Sequence, residues 1–122
     1  MKLKVLEKDI QRGMIDWLLL KGFKVWRQNS GAMSGTYKGK SRFVRFTSQP
    51  GLSDIIGWIP PRLCGHPISR FFAVEVKRPG GVVSQDQQTF IDGVNRDGGV
   101  GIIAHSLEEL IESLQLQGVQ VS

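Results

Sequence analysis

The chain has 122 residues, 40% apolar and 22% charged, and its 16 Lys and Arg outnumber 11 Asp and Glu to give +5. These proportions are ordinary for a soluble globular protein and suit one domain, 1–122, with its own core. No stretch approaches the length of a membrane span. The single cysteine, Cys64, excludes an intrachain disulfide and suits a reducing cytoplasm.

Met1-Lys2-Leu3-Lys4 leads into a charged segment without the apolar region or cleavage site of a signal peptide. A helix is predicted over 6–21, where Ile10, Met14, Trp17, Leu18 and Lys21 share a stripe that Ile15 and Leu19 widen. Gly22 stops it. A strand is expected over 23–27, then a loop over 28–40, rich in Gly, Ser, Asn and Thr. Short strands are expected at 43–46 and 52–59, the second closed by Pro60-Pro61, followed by a connection over 62–69. Phe71 to Lys77 reads as a strand that Pro79-Gly80-Gly81 breaks. Ser84-Gln85-Asp86-Gln87 is a capping-box pattern, opening a helix to about Arg96. A buried strand over 100–104 follows, then a second capping pattern at Ser106 and a helix to about Gln117. The tail over 118–122 alternates like a small edge strand. The order helix, strands, helix, strand, helix predicts an α/β fold with a mixed sheet of about four strands flanked by helices, its last two strands parallel.

Chemistry concentrates in two segments, Gly51-Leu52-Ser53-Asp54 and Phe72-Ala73-Val74-Glu75-Val76-Lys77-Arg78-Pro79. Strand alternation puts Ala73, Glu75 and Lys77 on one face and Phe72, Val74 and Val76 on the other. Phosphodiester cleavage needs an aligned water and charge relief on the phosphate oxygens, which Mg²⁺ held by a few hard oxygens can supply. Asp54 and Glu75 suit that role, the Val76 carbonyl can add an oxygen, and Lys77 can orient or deprotonate the water. The plain alternatives are a turn aspartate and a solvated Glu-x-Lys pair. Glu7, at the end of the buried stripe of the first helix, is a third candidate acid, or else simply an N-terminal helix acid favoured by the macrodipole. Gln87 has two readings as well, a cap on Ser84 or a side chain facing the acids.

Together with Glu7 to Gln11, Val25-Trp26-Arg27-Gln28-Asn29-Ser30-Gly31 and Ser84 to Gln87 before Phe90, these segments resemble the PD-(D/E)XK nuclease superfamily, and within it the VRR-NUC group. The resemblance spans nearly the whole chain, with Ser53 standing where the family usually has proline. It implies a restriction-endonuclease-like core and cleavage of DNA dependent on Mg²⁺ or Mn²⁺. It further implies metal ligands at Glu7, Asp54 and Glu75, the catalytic lysine at Lys77 and the site glutamine at Gln87. Small stand-alone viral members resemble Holliday-junction resolvases that act as homodimers, which for a viral chain places the work in the host-cell cytoplasm. Larger members cut branched or flapped DNA.

A pI near 9.7 favours a polyanionic partner, most often nucleic acid. Lys38, Lys40, Arg42 and Arg45, with Arg27 and Asn29 upstream and Arg78 beside the acids, are the expected DNA-binding groups. A four-way junction has two-fold symmetry, which a dimer would match. Surplus apolar residues on the first helix, with Val119 and Val121, are candidates for an interface or for ordinary core. Gly35 to Ser41 is one residue short of a P-loop and lacks a following helix. Cys64, His66 and His105 fall short of a zinc set. A non-catalytic DNA-binding module of the same fold is the serious rival.

Overall fold

The computed structural model describes residues 5–28, 32–37, 40–45 and 49–121, with side chains described for 5–28 and 49–121. Its elements are α1 (Glu7–Lys21), β1 (Lys24–Arg27), β2 (Ala32–Tyr37), β3 (Lys40–Arg45), β4 (Ile55–Ile59), α2 (Pro61–Cys64), β5 (Arg70–Val76), α3 (Gln85–Arg96), β6 (Val100–Ala104) and α4 (Leu107–Leu116).

Gly22 ends α1 at φ 102°, a left-handed conformation that suits glycine, and its N–H reaches the carbonyls of Leu18 and Leu19. Ser84 and Ser106 open α3 and α4 through side-chain oxygens that accept the third backbone N–H of each helix. Four strands form a mixed sheet in the order β1-β4-β5-β6, antiparallel except for the parallel β5–β6 pair.

Period-two alternation splits the buried residues into two cores on opposite sheet faces. Val25, Ile55, Phe72, Val74, Val76 and Ile102 pack with Met14 and Leu18 of α1 and Leu110 and Leu114 of α4. Ile56 and Ala73 pack on the other face against Ile91 of α3. Asn95 ties α3 to β6 by donating to the Gly101 carbonyl at 3.0 Å and accepting from the Gly101 N–H at 2.8 Å. Among the described residues no helix is long and apolar enough to cross a membrane.

Several expectations need correction. The segment 28–40, expected as a loop, contains β2, which pairs with β3 from Ala32↔Arg45 to Tyr37↔Lys40 in a separate two-stranded sheet. Pairing with β3, which begins three residues earlier than the strand expected at 43–46, outweighs the loop-like composition. The strand expected from Leu52 begins at Ile55, and the connection over 62–69 takes in most of α2, which starts with proline at its first turn. Among the described residues the tail forms no strand. The Val119 N–H bonds the Leu114 carbonyl and the Gln120 N–H the Leu63 carbonyl, so Val119 and Val121 enter the first core instead.

Candidate active site

The β4–β5 register runs from Ile59↔Arg70 to Ile55↔Val74. One further step sets Asp54 opposite Glu75, at the sheet end where β1 also finishes and where the Gln28 N–H donates to the Asp54 carbonyl at 2.7 Å. The Asp54 carboxylate reaches across to β5, its Oδ2 accepting the Val76 N–H at 2.9 Å. Glu75 is 2% exposed. Its Oε1 accepts from Gln87 Nε2 at 2.8 Å, and Lys77 Nζ lies 3.7 Å from the same oxygen. Its Oε2 is buried and has no hydrogen-bond partner among the described residues.

The two readings of Gln87 hold together. Its Oε1 accepts the Ser84 N–H at 2.9 Å and its own N–H donates to Ser84 Oγ at 3.2 Å, while the amide group turns to Glu75. The capping box therefore fixes the rotamer that presents the amide donor to the acid. Gly51, at φ +73°, lies against the start of the same helix, where a Cβ would overlap the backbone of Asp86. That approach seats the loop carrying Asp54 on the helix carrying Gln87.

Carboxyls set opposite one another at the end of the β4–β5 pair repel. Burial, then the charge of Asp54, pushes Glu75 up to about 8, against the pull of Lys77. Burial raises Asp54 too, more than the Val76 N–H lowers it. Glu7 adds repulsion to both. It is half-buried, its Oε2 3.4 Å from the Arg78 N–H, and with Lys77 and Arg78 it lines a cavity of about 350 Å³.

Among the described residues no three His, Cys, Asp or Glu side chains group as a metal cage. Mg²⁺ does not need one, since it keeps several waters and takes one or two carboxylates. An orphaned buried carboxylate oxygen and two acids held above their ordinary range are what a hard divalent cation would relieve, so the donor set fits such an ion.

The fold thus brings Asp54, Glu75, Val76, Lys77 and Gln87 together, with Glu7 and Arg78 at the margin. Exposed Arg27 ends β1. Lys40, Arg42 and Arg45 lie on β3, while Asn29 and Lys38 fall outside the described residues. Sequence reasoning passed over Lys8 and Arg12, which meet Arg27 at a cavity beside α1. Their i, i+4 spacing was the available signal. A larger groove of about 590 Å³ beside α3 contains none of the candidate catalytic residues.

No curated protein and no solved structure matches the chain. Residues 7–107 match the family model of the VRR-NUC domain, which covers most of the chain. The mixed four-stranded sheet flanked by helices is the α/β, restriction-endonuclease-like core expected of such a domain. The chain belongs to the VRR-NUC family and carries a nuclease-type, DNA-cleaving domain.

Proposed function

We propose that the chain is a Mg²⁺- or Mn²⁺-dependent endodeoxyribonuclease that hydrolyses phosphodiesters in branched DNA, four-way junctions above all, as a homodimer in the cytoplasm. The observation that carries this reading is the meeting of Asp54, Glu75 and Lys77 at one sheet end, with one Glu75 oxygen buried and without a hydrogen-bond partner among the described residues.

Asp54, Glu75 and the Val76 carbonyl would hold the cation, with Glu7 beside them. When bound, the ion supplies charge relief to the phosphate and acidifies water. Gln87 keeps Glu75 oriented. Lys77, beside Glu75 and 14% exposed in its side chain, aligns the attacking water and offsets charge growing on the phosphate. Arg27, Lys38, Lys40, Arg42, Arg45 and Arg78 neutralise the DNA backbone and Asn29 hydrogen-bonds to it, without reading bases. A two-fold dimer would match the symmetry of a junction, since two copies would give two matched cuts. Val119 and Val121 are core, so the exposed Leu19 and Leu20 are the apolar residues of α1 left for a dimer contact.

Cleavage of a labelled junction beside duplex, flap and single strand, in Mg²⁺, Mn²⁺ or EDTA, tests the reading. Paired symmetric cuts are expected, abolished by EDTA and slowed by at least about 100-fold in Lys77→Ala. Metal-dependent cutting of flaps alone would remove the junction specificity and keep the nuclease. Binding without any cut would leave only a DNA-binding module.

A further inference from the structure

Beyond the acids, at the β1 edge, Lys8, Gln11, Arg12, Ile15 and Asp16 of α1 and Arg27 of β1 line a cavity of about 240 Å³. Lys8 and Arg12 are four residues apart and share a helix face. Arg27 stands in register with Ile55, the residue after Asp54. The cavity therefore lies at the same end of the sheet as the two acids, one strand further out.

Two features mark it as built for an anion. Three cations converge against one acid, and among the described residues none of Lys8, Arg12 and Arg27 forms an ion pair. Asp16 is unpaired in the same sense. The second feature is Gln11, only 8% exposed, whose Oε1 is buried without a hydrogen-bond partner among the described residues. A buried carboxamide left unsatisfied is disfavoured unless a ligand or water completes it. A phosphate group answers both features. Its oxygens take the charge of the three cations and accept from the amide NH₂, and its hydration water donates to the Gln11 oxygen.

We infer that this cavity is a phosphate subsite holding the DNA backbone beside the cut, with Lys8, Arg12 and Arg27 neutralising the phosphate and Gln11 hydrogen-bonding at it; this rests on the nuclease reading above. Because Arg27 pairs with Ile55, the residue after Asp54, the subsite fixes how far along the DNA the cut falls. The phosphate is either an internal diester or a terminal monoester.

Junction binding by the full chain, measured in Ca²⁺ over a salt series, tests the inference. Lys8→Gln with Arg12→Gln should weaken binding and make the slope of log K against log salt shallower by about 1 to 2. Its melting temperature should hold, because both side chains are exposed. Gln11→Leu should raise the melting temperature while weakening binding, a pairing that a purely structural glutamine would not produce. Single methylphosphonate linkages stepped along the strand should find one position that weakens wild type and leaves the double variant unchanged. If only removal of a terminal phosphate shows that pattern, the bound group is the monoester. An unchanged salt slope, with no linkage or terminal phosphate that separates the two proteins, overturns the subsite. If wild type binds but never cuts, the nuclease reading fails and the linkage scan still decides the subsite. If it cuts normally with no coupled position, the subsite alone fails.

Discussion

Glu75 carries the main electrostatic conflict of the molecule. It is buried at a strand end, opposite Asp54, and among the described residues its Oε1 bonds Gln87 while its Oε2 has no hydrogen-bond partner. Its ordinary value of 4.5 rises to about 8 in the folded chain. Below about pH 4.5 it is protonated both folded and unfolded. Above that the unfolded chain releases the proton while the folded chain still holds it, so the metal-free protein loses stability as pH rises towards 8. Asp54, also raised, adds the same sign. Melting temperature in EDTA should therefore fall across pH 5 to 8. Mg²⁺ should restore it by binding the folded form, and Glu75→Gln should flatten the profile. A flat profile in the wild type would mean that Glu75 ionises normally and feels no such conflict.

At the scale of the element, the start of α3 does two jobs with one side chain. Gln87 closes the capping box with Ser84 and also donates to Glu75. The two roles separate by mutation. Ser84→Ala removes one cap bond, at a cost of about 1 kcal/mol, and should lower the melting temperature by a few degrees with cleavage largely kept. Gln87→Leu should destabilise comparably but also cut the cleavage rate, because Glu75 loses its amide partner. Thermal melts and single-turnover cleavage of the two variants side by side check this. Equal rates would mean that Gln87 acts only as a cap.

For the molecule as a whole, the sheet divides labour between its faces. One face buries the larger core between the sheet and α1 and α4, and the other packs against α3, whose Gln87 bonds Glu75. Phe72 belongs to the first face, fully buried and 5.2 Å from the ring of Phe23. Phe72→Ala should cost about 3–5 kcal/mol and lower the melting temperature strongly. The cleavage rate per folded molecule, measured well below that temperature, should change little. A rate loss matching that of Lys77→Ala would show that the two faces are not independent.

Much of this organisation was legible in the chain itself. Periodicity and caps located α1, α3, α4 and the buried strands, because a 3.6- or 2-residue repeat of apolar side chains is a local property. Glu75-Val76-Lys77 and Asp54 were visible as motifs, and the VRR-NUC resemblance follows from their order. Among the misread segments were β2 and the tail. Pairing with β3 organises the first and burial beneath the helices the second, and neither leaves a strong local mark. The dual role of Gln87 was likewise hidden, since a cap and a contact to Glu75 exclude each other only if the carboxamide has one useful end. Which residues carry charge, where the chain turns and which faces are apolar can be read from the order of residues alone. Folding sets Asp54 opposite Glu75, leaves one oxygen of Glu75 without a hydrogen-bond partner among the described residues, and brings Lys8 and Arg12 to Arg27. These are long-range juxtapositions set by strand register and helix docking, and no local pattern encodes them.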